Sequence, residues 1–242
     1  YSKFSKWAYS SCDLIAVTSK SHISYLEQKH AIDVKKIVYL PQHSPDLNVD
    51  TNKRMEDNNP INFMFAGNLG EGASLTTIIE AVKVLKDEEK RIRIYFVGDG
   101  TAKQTLINLV NEYCLNDFIV FHDSIPIEQM PLKFKMADAL LVTLRKGQTT
   151  VPAKLQAYMS TGKPIIGAMD GSGKQMIEEV DCGVCVPAED EKALANAMYD
   201  FINNSDIYHI KGKKGRLYFE KHFTLDAYIN QLEKYFNDLM ES

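Results

Sequence analysis

The chain has 242 residues, of which 45 % are hydrophobic, and a formal net charge of −4. That length supports one substantial core, or one core and part of another. The charge argues against a nucleic-acid partner, which would call for a basic surplus, and no window reaches the roughly 18 consecutive apolar residues of a membrane span.

Residues 1–43 read as helix, strand, helix, strand. Tyr1 to Ser11 is helical, Leu14–Val17 is a short buried strand, Ser19 stands as N-cap to a helix Ser21–His30, and Ile37–Leu40 is a second strand stopped by Pro41. Two strands and two helices do not easily close a sheet of their own, so this segment is expected to be the tail of an α/β domain. The chain opens at Tyr1 without a methionine and runs straight into an amphipathic pattern, as expected of a piece of a longer protein. No secretory signal precedes the first strand, which makes a cytoplasmic location the default. Residues 44–60 are polar and hold Pro45 and Pro60, the composition of an interdomain linker.

From Ile61 onward strands and helices alternate. The strands are Ile61–Ala66, Ile92–Val97, Phe118–Phe121, Ala139–Thr143, Pro164–Ala168 and Gly183–Val186, with helices beginning near Ser74, Thr101, Ile127, Pro152, Ser172 and Asp190. The first helix, Ser74–Asp87, carries Leu75, Ile78, Ile79, Val82 and Leu85 on one face. Such alternation implies parallel strands joined by right-handed crossovers, hence a Rossmann-like, doubly wound α/β domain over 61–204. Two more helices, near Asp206–Lys221 and Leu225–Leu239, close the chain over 205–242. The stripe Leu225, Tyr228, Ile229, Leu232, Phe236 and Leu239 predicts that the last one packs on a neighbour. Of the four cysteines, Cys12, Cys114, Cys182 and Cys185, only the last two are close. They enter a strand rather than open a helix, and no second ligand pair completes a metal site, so all four are expected to be ordinary thiols.

The chemistry-bearing turns sit at strand ends, where open α/β sheets bind ligands. Gly67-Asn68-Leu69-Gly70-Glu71-Gly72 follows the first strand and Gly98-Asp99-Gly100 the second. Glycines let a ligand approach the backbone, although the dinucleotide spacing Gly-x-Gly-x-x-Gly is absent and so is a phosphate loop with Gly-Lys-Ser/Thr. Arg145 and Lys146 lead to Pro152-Ala153-Lys154, a helix start at which a lysine opposes the macrodipole unless it shares a bound diphosphate with the helix N–H groups. The other reading is a solvated surface lysine. Asp170-Gly171-Ser172-Gly173 is an anion or hydroxyl contact, or only a tight turn. Asp99 reads as turn chemistry, His122 as a surface histidine at a strand end, and the six histidines form neither a metal set nor a Ser/His/Asp arrangement.

Taken in order, several segments resemble a retaining glycosyltransferase of the GT-B type, family 4. Ser11–Ser19 and Lys36–Pro41 resemble the last strands of the family's acceptor domain. Phe65–Gly70, Phe96–Gly100, Ala137–Leu144 and Val151–Ile166 resemble its donor domain. The resemblance implies a remnant of the N-terminal domain over 1–43 and a nucleotide-sugar-binding domain over 61–204. It also implies closing helices that reach back toward the first domain. It places Gly67, Asn68, Gly70, Arg145, Lys146 and Lys154 at the donor diphosphate, Ser124, Ile125 and Gln156 at the base and ribose, and Asp170, Gly171, Ser172 and Gly173 at the sugar or a phosphate. Catalytic residues stay unassigned, and neither a metal nor another cofactor is expected. The chain departs from the family pattern at Asn68, Ala73, Thr149 and Ala157, where many members carry Arg, Lys, Glu and Glu. Arg145, Lys146 and Lys154 are then the cations left for the leaving group, each exposed and contributing about 1–3 kcal/mol.

The implied activity is sugar transfer from a nucleotide-sugar, a UDP-sugar by the resemblance, to a glycan or lipid-linked glycan in capsule, O-antigen or related polysaccharide synthesis. The implied partners are that donor, the acceptor and the missing N-terminal domain. The full-length protein is placed in the cytoplasm, with peripheral association at the inner membrane face left open. The fragment alone is expected to bind nucleotide and to transfer little or no sugar. Two alternatives stay open: a non-catalytic nucleotide-binding subunit that needs a partner chain, and a GT-B nucleotide-sugar 2-epimerase.

Overall fold

The structure, a computed structural model, describes residues 2–49, 60–88 and 91–241. Most of the expected linker lies outside these residues. The chain divides into two compact units: Asp46–Tyr218, and Tyr1–Pro45 together with Phe219–Ser242.

The larger unit is built on six parallel strands: β3 (Ile61–Ala66), β4 (Ile92–Val97), β5 (Ile119–His122), β6 (Ala139–Thr143), β7 (Ile165–Ala168) and β8 (Gly183–Val186). Their spatial order is β5-β4-β3-β6-β7-β8, so the winding reverses between β3 and β6. The register pairs Phe63 with Ile94 on one side of β3 and with Ala139 on the other. β6 is buried at all five positions and β7 at all four, the signature of strands covered on both faces. The connecting helices are α3 (Thr76–Leu85), α4 (Lys103–Glu112), α5 (Met130–Phe134), α6 (Lys154–Ser160), α7 (Gly171–Val180) and α8 (Glu191–Asn203), with α9 (Ser205–His222) after them. Ile78, Ile79 and Val82 of α3 join Leu194, Met198 and Phe201 of α8 over Phe63, Phe65 and Phe96 in one buried cluster. The doubly wound sheet expected from the alternation of apolar runs is therefore present.

Cys182 and Cys185 are buried thiols at β8. Burial pushes Cys182 up to about 12 and Cys185 up to about 11, which leaves both protonated and unreactive at neutral pH.

The smaller unit holds α1 (Ser2–Ser10), the parallel pair β1 (Ile15–Val17) and β2 (Ile37–Tyr39), α2 (Lys20–His30) and α10 (Leu225–Met240). Val17, Leu26, Ile32 and Ile37 form its core. Ser19 occupies the N-cap of α2 but its hydroxyl makes no capping bond; it pairs with the Ser21 hydroxyl at 2.9 Å. α10 packs on its neighbours as its stripe predicts, but with only part of that stripe: Tyr228 meets the His43 ring edge-on at 5.6 Å, and Tyr228 and Leu232 are half-buried. Leu225, Ile229 and Phe236 are exposed, and none of its residues is buried. The helix is held through Gln231 and Tyr235, which both donate to the Tyr39 carbonyl, at 3.0 and 2.9 Å. Periodicity marks an apolar face without saying what covers it. Among the described residues no helix is long and apolar enough to cross a membrane.

Acid is expected to weaken the larger unit in two stages. Burial lowers His122 and His209 below the ordinary histidine range, and both ring nitrogens of His209 lack a partner. The unfolded chain therefore takes up protons near pH 6.5 that the folded chain refuses, so stability falls as pH drops below about 6.5. Asp46 and Asp181 are held low by hydrogen bonds from Arg216 and from Lys211 and Lys214, and their contribution disappears only below the usual carboxylate range. Urea midpoints at pH 7.5 and 5.5 should differ, and His209→Leu should shrink the difference. A midpoint independent of pH across this window contradicts the assignment.

Candidate functional site

The turns after β3, β4 and β5 stack side by side because their backbones bond across the sheet end. The Gly67 N–H donates to the Val97 carbonyl at 2.9 Å, and the Gly98 N–H to the His122 carbonyl at 3.1 Å. Gly98 makes the closest approach: its φ is +145°, and a Cβ there would lie 2.0 Å from the Gly67 carbonyl oxygen. Only glycine fits both the dihedral and the gap.

Beside these turns lies a cavity of about 220 Å³ at the carboxyl ends of the strands. Its lining includes Gly67 and Gly98 of these turns, Ser124 and Ile125 after β5, Ile127, Met130 and Phe134, and Lys154, Ala157 and Tyr158 of α6. Leu47 completes the wall. Its N–H donates to the Ser160 hydroxyl at 3.0 Å. The preceding Asp46 receives a two-pronged bond from Arg216, which also donates to the Ser160 carbonyl at 2.7 Å. That network fixes Leu47 on the end of α6.

Lys154 is the one cation among the lining residues. Its Nζ lies 3.7 Å from the centroid of the Phe65 ring, and a Cβ on Gly67 would stand 3.3 Å from it. Burial alone lowers the ammonium to about 8, with no charged neighbour contributing to the shift. This corrects the expectation of an exposed lysine two residues into a helix. α6 begins at Lys154 itself, runs for only seven residues, and turns the side chain inward over the aromatic ring.

Tyr158 closes the inner end. It is fully buried, its hydroxyl donates to the Ala66 carbonyl at 3.0 Å and accepts from the Ala66 N–H at 2.7 Å, and its ring meets Phe134 edge-on at 5.9 Å. The hydroxyl thus satisfies both backbone groups at the last residue of β3. Tyr158→Phe is expected to lower stability by about 1–3 kcal/mol, because it strands polar groups in a dry site. A free energy of unfolding in urea lowered by under a tenth of that would show that the Ala66 groups find other partners.

The sequence-expected residues divide among several places. Gly67, Ser124, Ile125 and Lys154 come together at the cavity. Asn68 is exposed and its side chain lies 3.5 Å from where a Gly70 Cβ would be. Gly70 and Arg145 line a second, more polar hollow with Glu71, Ser74, Thr101 and Glu189, so Arg145 does not share a rim with Lys154. Lys146 is exposed and lines neither hollow. Gln156 is 6 % exposed and does not line the cavity, because the turn of α6 that presents Lys154, Ala157 and Tyr158 sends the intervening residue elsewhere. The Asp170–Gly173 segment is packed rather than open. The Ser172 N–H donates to the Thr149 carbonyl at 2.9 Å, and the Asp170 carboxylate accepts from the Ala188 N–H. Gly171, at φ +70°, has Thr149 where its Cβ would be. Gly173, inside α7, has the Met169 sulfur 2.5 Å from where its Cβ would be.

Leu47, Ile127, Met130, Phe134 and Tyr158 escaped the sequence reading. Each has the look of core, and only Tyr158, a phenol in an apolar helix, carries a signal that a buried polar partner awaits it.

Comparison with known proteins places this geometry in a wider group. A family model described as glycosyl transferases group 1 matches residues 48–218. A protein of Escherichia coli strain K12 named as a colanic acid biosynthesis glycosyl transferase, WcaI, is 26 % identical over 94 % of this chain and 57 % of its own length. The O-antigen chain mannosyltransferase C of Escherichia coli is 23 % identical over 74 % of this chain and 47 % of its own. The chain thus spans about half the length of these curated relatives. The crystal structure of Anabaena Alr3699/HepE in complex with UDP superposes with a TM-score of 0.80 at 12 % identity, covering 94 % of this chain and 64 % of that one.

Proposed function

The chain belongs to the glycosyl transferases group 1 family, and on that premise we propose that it carries the nucleotide-sugar-binding half of a GT-B, family 4 transferase. The donor is a UDP-sugar and the acceptor a hydroxyl of a glycan or lipid-linked glycan in surface-polysaccharide synthesis. The observation that carries this reading is the cavity itself, an apolar hollow at the carboxyl ends of β3, β4 and β5 with a single, half-buried lysine among its lining residues. Apolar walls suit a base, and an unpaired cation suits a diphosphate. The names of WcaI and of the O-antigen mannosyltransferase support the polysaccharide assignment. The UDP bound to Anabaena HepE supports the nucleotide.

In this proposal Ser124 and Ile125 lie beside the base and Lys154 faces the diphosphate. Departure of the diphosphate builds negative charge while the sugar carbon becomes oxocarbenium-like. A cation already desolvated and held over Phe65 stabilises that charge without further reorganisation. The attacking hydroxyl is positioned by residues outside this unit, so the chain alone binds nucleotide and releases no sugar from UDP-glucose faster than buffer does.

Calorimetric titration with UDP, GDP and NAD tests the proposal. Saturable UDP binding, tighter than NAD, is the expected result. Absence of saturable binding for both UDP and GDP up to millimolar concentration overturns it.

A further inference from the structure

The stacked turns after β3 and β4 shape two separate hollows. The apolar cavity takes Gly67 and Gly98, the polar hollow takes Gly70 and Thr101, and the two share no lining residue. The polar hollow also measures about 220 Å³. β6 braces its rim: the Thr143 hydroxyl donates to the Ala73 carbonyl, and the Arg145 N–H donates to the Gly72 carbonyl at 3.0 Å.

The chemistry of the lining is mixed in a particular way. Leu75 and Leu106, each 2 % exposed, give it an apolar patch. Arg145 stands with two carboxylates, Glu71 and Glu189, and hydroxyls come from Ser74, Thr101 and Thr105. Among the described residues, Arg145 and Glu71 form no ion pair with each other, and the threonine hydroxyls bond to neither. The Ser74 hydroxyl alone is engaged within the lining, donating to Glu189 at 3.2 Å. The same two residues are backbone outliers. Five described non-glycine residues have positive φ; Ala31, Cys114 and Asp181 lie where α2, α4 and α7 end, and the other two are Ser74 at +46° and Glu189 at +59°. Such conformations are retained where the surrounding fold fixes a side chain for a ligand.

We infer that the polar hollow binds a hexose unit of a glycan, at a site separate from the apolar cavity. Each sugar hydroxyl both donates and accepts. A guanidinium can donate to two adjacent hydroxyl oxygens, a carboxylate can accept from two hydroxyls, and a threonine can do either. The C–H face of the ring covers Leu75 and Leu106. Two carboxylates against one guanidinium disfavour a phosphate, the guanidinium disfavours a simple cation, and no aromatic ring lines the hollow to stack on a base. On a glycosyl transferase, a second grip on a glycan raises the effective concentration of that chain beside the transfer site. The inference stands on the hollow alone and does not rest on the nucleotide reading.

The whole chain is titrated with the methyl α-glycosides of glucose, galactose, mannose and N-acetylglucosamine, followed by saturation-transfer NMR, with inorganic phosphate as the competing class. At least one glycoside is expected to bind saturably with a millimolar dissociation constant. Arg145→Ala and Glu71→Gln should each weaken it at least fivefold. Both side chains are exposed, so the two variants should keep the wild-type urea midpoint. Saturating UDP should leave the glycoside bound. The inference is overturned by lack of saturable binding for every glycoside up to about 100 mM, by undiminished binding in both variants, by displacement with UDP, or by phosphate binding tighter than all four. UDP affinity is measured separately, so glycoside binding without UDP binding defeats the nucleotide proposal and leaves this one standing.

Discussion

Gly98→Ala is expected to destabilise the six-stranded unit by roughly 3 kcal/mol or more, the largest loss from any single methyl group at the site. Two penalties act together at this position. The backbone holds φ at +145°, and the added carbon would sit 2.0 Å from the Gly67 carbonyl oxygen, far inside van der Waals contact. Relief requires the turns after β3 and β4 to separate, which strains the Gly67–Val97 and Gly98–His122 hydrogen bonds. Because Gly98 also lines the cavity, ligand binding should fail along with stability. Thermal denaturation should show a fall of about 10 °C, at ~2–4 °C per kcal/mol for a unit of this size. Gly147→Ala is the matching control. Gly147 also has positive φ, +87°, but nothing lies within 4 Å of its added carbon, so it carries backbone strain alone and should cost about 1 kcal/mol. Equal losses from the two substitutions would show that the collision at Gly98 is relieved freely.

Lys154→Ala is expected to weaken UDP binding at least tenfold, about 1.4 kcal/mol, as read by calorimetric titration at pH 7. The wild-type chain should also show a pH signature. Burial lowers Lys154 to about 8 in the ligand-free state, and a bound diphosphate favours the ammonium and raises it again. Affinity is therefore steady below about pH 7, falls as pH rises through 8, and binding above pH 8 draws in a proton that appears as a dependence of the heat on buffer. Neither effect should survive in Lys154→Ala. The same burial means that the charge costs stability when the cavity is empty. Lys154→Met is accordingly expected to raise the urea midpoint at pH 7 while binding is lost, the opposing responses of a group retained for a ligand. A variant that binds UDP like wild type removes Lys154 from the site.

Much of the scaffold was legible in advance. Strands such as Ala139–Thr143 and Ile165–Ala168 are buried on both faces and so appear as unbroken apolar runs. The glycine turns at 67 and 98 mark strand ends because their positive φ disfavours other residues, and at Gly98 the Gly67 carbonyl leaves no room for a Cβ as well. The site was legible only in part. Lys154, Ser124, Ile125 and Gly67 line one cavity, whereas Arg145, seven residues from Pro152, lines another hollow. Gln156 falls between Lys154 and Ala157, which line the cavity with Tyr158, and does not line it itself. Gln156 stands two residues after Lys154, about 200° around α6, so the two side chains leave the helix on opposite sides.

The sequence by itself determined the parallel, doubly wound sheet, the order of its elements and the strand ends at which a ligand could sit, because these follow from local dihedral limits and from apolar runs of strand length. Tertiary structure alone decided that Lys154 lies desolvated over Phe65 without a carboxylate beside it, that Tyr158 closes the end of β3, and that Leu47 is tied into the wall through Asp46, Arg216 and Ser160. Each depends on side chains brought together from distant segments, and desolvation, which sets the charge of the lysine, is a property of that assembled surface and of no single stretch of chain.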